Sequence, residues 1–197
     1  MSVNNPEKVT RQREERRSQI LQASIGIFAK KGLAAAKISD IAEAAGISHG
    51  HVYNYYASKE ELFVSLVKML QERYGRVCEE ARSREGNARD KLLWHARKIG
   101  EDENALNGMH VVLHAETIAG ISAEEKREIP RRAVENLQPI IAIVKQGQEE
   151  GTFREGRPED LAVLYFALLN GVSGARRRGL GAVASPDEEQ LVGLLCK

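Results

Sequence analysis

Ile38-Ser39-Asp40-Ile41-Ala42-Glu43-Ala44-Ala45-Gly46-Ile47-Ser48-His49-Gly50-His51-Val52-Tyr53-Asn54-Tyr55 is the stretch on which the reading of this chain turns. Ile38, Ile41, Ala42 and Ala45 recur at helical spacing, the inward stripe of a two-turn helix over residues 38–45. Gly46-Ile47-Ser48 reads as a tight turn, and residues 49–55 as a second short helix with Ser48 as its N-cap. A short helix, a glycine turn and another short helix describe a helix-turn-helix. The second helix of such a unit must enter the DNA major groove, roughly 12 Å wide, with short or polar side chains leading. Ser48, His49, Gly50 and His51 meet that requirement, while Val52 and Tyr56 face inward.

Working outward, the pattern stays helical. From about Arg11 to Lys31 the residues Ile20, Leu21, Ser24, Ile27 and Phe28 form one stripe, with Arg11, Arg13, Arg16 and Arg17 crowding the first turns and Gly32 as a left-handed terminator. Residues 1–10 precede the pattern and are expected to be flexible. Downstream, Ser58-Lys59-Glu60-Glu61 is a capping box. It opens a helix with Leu62, Phe63, Leu66, Val67, Leu70 and Tyr74 on one face, predicted to run to about Ser83. Further helices are predicted over Ala88–Glu101, over Asn107–Gly120, and from the capping box Ser122-Ala123-Glu124-Glu125 to about Glu150. Pro130 and Pro139 predict a break or kink inside the last of these. Pro158 starts another helix, and a final one follows Ser185-Pro186. No strand is predicted. The expected fold is all-α: an N-terminal helix-turn-helix domain over residues 1–57, a connecting helix over 58–83, and a helical domain over 84–197.

The composition agrees with such a fold. Of 197 residues, 42% are hydrophobic and 29% charged, enough for a sizeable core beneath a charged surface. No apolar run approaches the ~20 residues that span a bilayer, and the first residues carry no apolar signal segment, so no membrane association and a cytoplasmic location are expected. Cys78 and Cys196 are too few for a disulfide framework. Residues 1–59 hold nine Lys/Arg against five Asp/Glu, leaving 20 of the 29 basic and 23 of the 28 acidic residues elsewhere. A basic head on a mildly acidic body fits a polyanion partner. There is no phosphate-binding loop and no complete G-x-G-x-x-G fingerprint, and no catalytic residue is expected.

Ile41 to Leu62, with Gly46, Ser48, Gly50, Tyr53, Tyr55, Ser58, Lys59 and Glu60 in register, resembles the signature of the TetR (tetracycline-repressor-like) family of transcriptional regulators. The resemblance runs from Ile20 to about Leu66. It implies that His49, Gly50, His51 and Asn54 read base edges, that Tyr53 and Tyr55 touch the DNA backbone, that Lys59 contacts phosphate, and that Ser39 faces the groove from the preceding helix; Ser48 joins the DNA-binding set as the small polar residue at the exposed end of the second helix. Lys37 stands where the family often has a capping Thr. Lysine cannot cap, so either Ser39 caps the helix or Lys37 contacts phosphate by charge. Tyr56 replaces a commoner Phe, and its hydroxyl needs a partner or an exit to solvent.

The resemblance also implies a homodimer on a double-stranded DNA operator, recognition helices roughly 34–36 Å apart, and a small-molecule inducer with no cofactor. An effector pocket is then expected among the middle helices, about residues 75–150. Its candidates are Tyr74, Cys78, Trp94, His95, Met109, His110, Val111, Leu113, His114, Leu137 and Ile141. The family's four-helix dimer bundle falls on Leu161, Leu164, Tyr165, Leu168, Leu169, Val172, Leu191, Leu194 and Leu195, with Gly171 and Gly174 allowing close approach. His110 and His114, spaced i, i+4, share a helix face, and with His95 and Glu116 they offer an alternative metal-sensing reading. A protein-interaction module that does not read DNA is the other alternative. The expected mechanism is a repressor whose effector shifts the 58–83 helix and so the separation of the two heads.

Overall fold

Gly32 sets the shape of the first helix. It adopts φ 67° and ψ 175° inside α1 (Pro6–Ala35), bending a helix that then continues for one short turn. Gly32 thus ends the long helical stretch in the left-handed region, as expected, and only one short turn follows it to Ala35. The structure, a computed structural model, describes residues 6–115, 120–183 and 186–197. Residues 6–10, expected to be flexible, are helical; 1–5 lie outside the described residues.

The next elements are α2 (Ile38–Ala44) and α3 (His49–Val52). Lys37 occupies the N-cap position of α2 in extended conformation, and its backbone N–H donates to the Asp40 carboxylate at 3.4 Å. Ser39 lies inside the helix, so the expectation that it caps is corrected: Asp40 reaches back instead. Helix α3 is shorter than the expected 49–55. Tyr53, Asn54 and Tyr55 form turns that close on His51 and Val52 carbonyls.

Helix α4 (Lys59–Ser83) matches its predicted span, and Ser58 Oγ accepts from the Glu61 backbone N–H at 3.0 Å. Then come α5 (Ala88–Gly100), α6 (Glu103–Ala115), α7 (Ala123–Glu149), α8 (Pro158–Arg177), a single 3-10 turn at Leu180–Ala182 and α9 (Glu188–Gly193). Helix α6 starts four residues before the expected Asn107, because the Asp102 carboxylate accepts from the N–H groups of Asn104 and Ala105. Helix α7 runs as one element through Pro130 and Pro139, so the predicted break is absent. Among the described residues the only extended pairing is an isolated antiparallel bridge, Phe153 to Cys196, which ties the C-terminal residues to the α7–α8 turn.

Two cores result. The first joins α1, α2, α3 and the first half of α4, and it takes in Val111 and Ala115 of α6 and Ile129 of α7. Phe28 and Phe63 meet edge-to-face at 5.1 Å within it. The second joins α5, α8, α9, the later part of α7, and Cys78 and Ala81 of α4. Helix α4 belongs to both, which makes it the rod between them.

Candidate functional site

The tip of the helix-turn-helix is open. Lys37, Ser39, Ser48, His49, Gly50, His51, Tyr53 and Asn54 are all exposed, while Val52 and Tyr56 are buried beneath them. A Cβ built on Gly50 meets nothing within 4 Å, so the glycine is not required by packing within the protomer. His49 lies edge-to-face on Tyr53 at 5.4 Å, and His51 stacks on Tyr55 at 5.9 Å. The string Gly46-Ile47-Ser48-His49-Gly50 also spells G-x-S-x-G. A nucleophile elbow needs a strand before that serine, and here a helix precedes it.

The tip is held from behind by α1. Arg13 Nη2 donates to the Asn54 carbonyl at 3.3 Å and Arg17 Nη1 to the Tyr55 carbonyl at 2.5 Å. Tyr56 donates its hydroxyl to the Arg17 carbonyl at 3.1 Å, which answers the need that its replacement of Phe created; burial raises its pKa. Sequence reasoning noticed the arginine cluster but not this role. The i, i+4 spacing of Arg13 and Arg17, on one face of α1, was the signal. Lys59 is half-buried, and its Nζ donates to the carbonyls of Ala34 and Ala36 at 3.2 and 3.0 Å, closing the end of α1. An ammonium has three donors, so one N–H lies beyond these two bonds.

In the body, a cavity of about 250 Å³ lies between α4, α5, α6, α7 and α8. Of the expected lining residues, Tyr74, Met109, Leu113 and Leu137 are there. The others are not. Cys78 and His95 are fully buried in the second core, and Val111 in the first. Trp94 stacks under Arg84 at 4.5 Å. His110, His114 and Ile141 lie off the cavity wall. The expectation failed because helical periodicity identifies an inward face without saying whether it meets a core or a void. Leu70, Val77, Ile99, Val112 and Phe166 complete most of the apolar wall, with Gln71, the Arg73–Asp102 ion pair and Lys98 also lining the cavity.

His95 belongs to a closed hydrogen-bond chain. Tyr165 donates its hydroxyl to the Leu92 carbonyl at 3.1 Å, so His95 Nδ1–H, 2.9 Å away, donates to the Tyr165 oxygen, and Nε2 accepts from the Cys78 thiol at 3.4 Å. Only a neutral imidazole fits. Burial pushes the His95 pKa down to about 4 and the Cys78 pKa up to about 12. His95 is thus corrected as a third metal ligand. His110 and His114 rings do meet at 4.3 Å. Among the described residues, however, no group of three His, Cys, Asp or Glu could hold a metal; Glu116 lies outside them.

The dimer candidates divide. Leu161, Tyr165, Leu169, Leu191 and Leu195 are buried in the second core of the protomer. Leu164, 56% exposed, and Leu194, 55% exposed, remain outside, and Leu168 and Val172 are half-buried. Leu164, Leu168, Gly171, Val172 and Ala175 line a shallow apolar groove along α8. A Cβ on Gly171 would meet nothing within 4 Å, so the protomer itself has no need of glycine there. Gly174, in contrast, has the Arg178 guanidinium 3.5 Å from its ideal Cβ position.

An exposed helix-turn-helix on an all-helical body with an internal cavity defines the class of DNA-binding transcriptional regulators. Residues 20–66 match the family described as bacterial regulatory proteins, tetR family. The chain is 31% identical over 169 residues to the HTH-type transcriptional regulator TtgR of Pseudomonas putida, covering 81% of this chain and 79% of that protein. It is 27% identical over 171 residues to the HTH-type transcriptional repressor KstR2 of Mycobacterium tuberculosis, covering 85% and 84%. A TetR-family transcriptional regulator from Agrobacterium tumefaciens shares the fold, with a TM-score of 0.72 at 16% identity over 94% of this chain and all of that one. The chain belongs to the TetR family: it is a DNA-binding regulator of transcription and not an enzyme. No helix among the described residues is long and apolar enough to cross a membrane.

Proposed function

We propose that this chain is a cytoplasmic repressor that holds an operator as a homodimer and is released when a small molecule occupies the cavity. Residues 1–57 are the reading head, 58–83 the connection, and 84–197 the effector and dimer region. The observation that carries the reading is α4 itself: Leu62, Leu66 and Leu70 close the core of the head, and Leu70, Tyr74 and Val77 wall the cavity. Any occupant therefore touches the rod on which the head is mounted. A coupling of about 1–3 kcal/mol would weaken operator binding about 5–150-fold.

In this reading His49, Gly50, His51 and Asn54 meet base edges. Tyr53 and Tyr55 meet the backbone with Ser39 and Ser48, and Lys37 and the remaining N–H of Lys59 meet phosphate. Fluorescence anisotropy with duplex DNA from upstream of the chain's own gene tests it. His51→Ala removes base contact and should cost about 1–3 kcal/mol of preference for operator over random DNA. Lys37→Ala should weaken both duplexes alike and lower the salt slope by about one. Unchanged operator preference in His51→Ala and an unchanged salt slope in Lys37→Ala would overturn the assignment.

A further inference from the structure

Gln71 is 3% exposed, lies in α4 and lines the cavity. Its Nε2 donates to the Ile129 carbonyl at 2.7 Å. A carbonyl accepts only, so this bond fixes the amide orientation and leaves Oε1 as the free end. Oε1 is buried and has no hydrogen-bond partner among the described residues. Three residues on, the Tyr74 hydroxyl is also buried, beside the Cys78 thiol. Residues spaced i, i+3 share a helix face, and both line the same, otherwise mostly apolar, wall. A buried acceptor left unpaired costs about 1–3 kcal/mol, so Gln71 Oε1, on a residue that lines the cavity, marks where a polar group of an occupant belongs.

We propose that the effector is an uncharged, largely apolar alcohol whose O–H donates to Gln71 Oε1. This rests on the reading of the cavity as the effector site. An acceptor-only occupant, such as an ether or a carboxylate, leaves Oε1 unpaired. Gln71 is also tied to α7 twice: its Nε2 holds the Ile129 carbonyl, and Asn136 Nδ2 donates to the Gln71 carbonyl at 2.7 Å. The occupant's O–H uses the one position that these bonds leave open, so binding fastens α4 to α7 without breaking either.

Calorimetric titration of the full chain with two isomers tests the proposal. 1-Octanol and heptyl methyl ether contain the same atoms, and only the alcohol has an O–H. The alcohol is expected to bind about tenfold more tightly, with octanoate weaker than the alcohol. Gln71→Met keeps the length and removes the acceptor, and should bring the isomers to equal affinity, with a urea melt reporting on folding. Equal affinity in the unsubstituted chain, tighter binding of octanoate, or a preference surviving in folded Gln71→Met each overturns the proposal. If Gln71→Met does not fold, the isomer comparison in the unsubstituted chain decides alone. Leu137→Trp fills the cavity and should abolish binding of both isomers. If neither isomer binds the unsubstituted chain, or both bind Leu137→Trp unimpaired, the cavity reading falls together with this proposal. Isomers that bind equally and are both blocked by Leu137→Trp remove this proposal alone.

Discussion

Arg17 Nη1 donates to the Tyr55 carbonyl at 2.5 Å, while its guanidinium carbon sits 4.3 Å from the centre of the Tyr56 ring. Tyr56 returns a bond to the Arg17 carbonyl, so α1 and the end of the reading unit are clasped in both directions. The clasp holds the segment that follows His51 and Asn54 against α1. Arg17→Met keeps the aliphatic stem and removes the charged donor and the ring contact. It should cost about 2 kcal/mol of stability, seen as a lower urea midpoint, and should weaken operator binding more than the loss of one positive charge does. Equal losses in Arg17→Met and the exposed Arg16→Met would show that the clasp does not position the tip.

The His95 chain predicts acid sensitivity. The unfolded side chain titrates near 6.5 and the folded one at about 4, because burial disfavours the imidazolium. Between those values the unfolded chain binds a proton that the folded chain does not. The stabilisation is therefore fully present above pH 6.5 and is lost as the pH falls from 6.5 through 4. About 2 kcal/mol should be gone by pH 5 and about 3 over the whole window. Urea midpoints at pH 7.5 and 5.0 measure it. His110, also lowered by burial and by nearby Arg177, acts in the same direction, so His95→Gln is the control. It should be less stable at pH 7.5 and lose much less on acidification; an identical acid loss would assign the effect to other groups.

The head was legible because local signals and packing agree there. Ser58 and Glu61 form the cap that their spacing predicts, and Ile38, Ile41, Ala42 and Val52 are all buried. Where the expectation and the structure differ, the deciding group is local in one case and distant in the others. Helix α6 begins early because Asp102 caps it, and Asp in a polar stretch gives little warning of that. Tyr165 and Leu164 are neighbours with the same apolar character, yet one completes a buried chain with His95 and the other lies half in solvent. Nothing in periodicity separates them, because that depends on where α5 packs. Gln71 went unnoticed for the same reason: a polar residue on an apolar stripe shows its importance only when its partners can be counted.

Gly147 tests the packing of the second core. A Cβ there would lie 2.1 Å from Phe153 Cδ2, and Phe153 is fully buried where the α7–α8 turn meets the C-terminal residues. The ring is the atom group that must shift to admit it. Gly147→Ala gains helix propensity of about 1 kcal/mol and should still lower stability by about 1–3 kcal/mol net, through overpacking. A chain of this size should then melt several degrees lower. An unchanged or higher Tm would mean that Phe153 repacks freely.

The outer face of α8 separates protomer stability from assembly. Leu164 is 56% exposed and Leu168 half-buried, and both line the groove in which Gly171 has empty space over its Cα. Leu164→Glu combined with Leu168→Glu places two charges on that face, where a desolvated, unpaired carboxylate costs several kcal/mol if a second copy covers it. Inside one protomer Leu164 contributes little, so the monomer should retain its helicity by circular dichroism. Light scattering is expected to change from a dimer mass to a monomer mass. Operator affinity should fall together with it, because a single head forfeits the second half-site one DNA turn away. The isolated mass change with operator affinity intact would show that one head suffices, and an unchanged dimer mass would move the interface off α8.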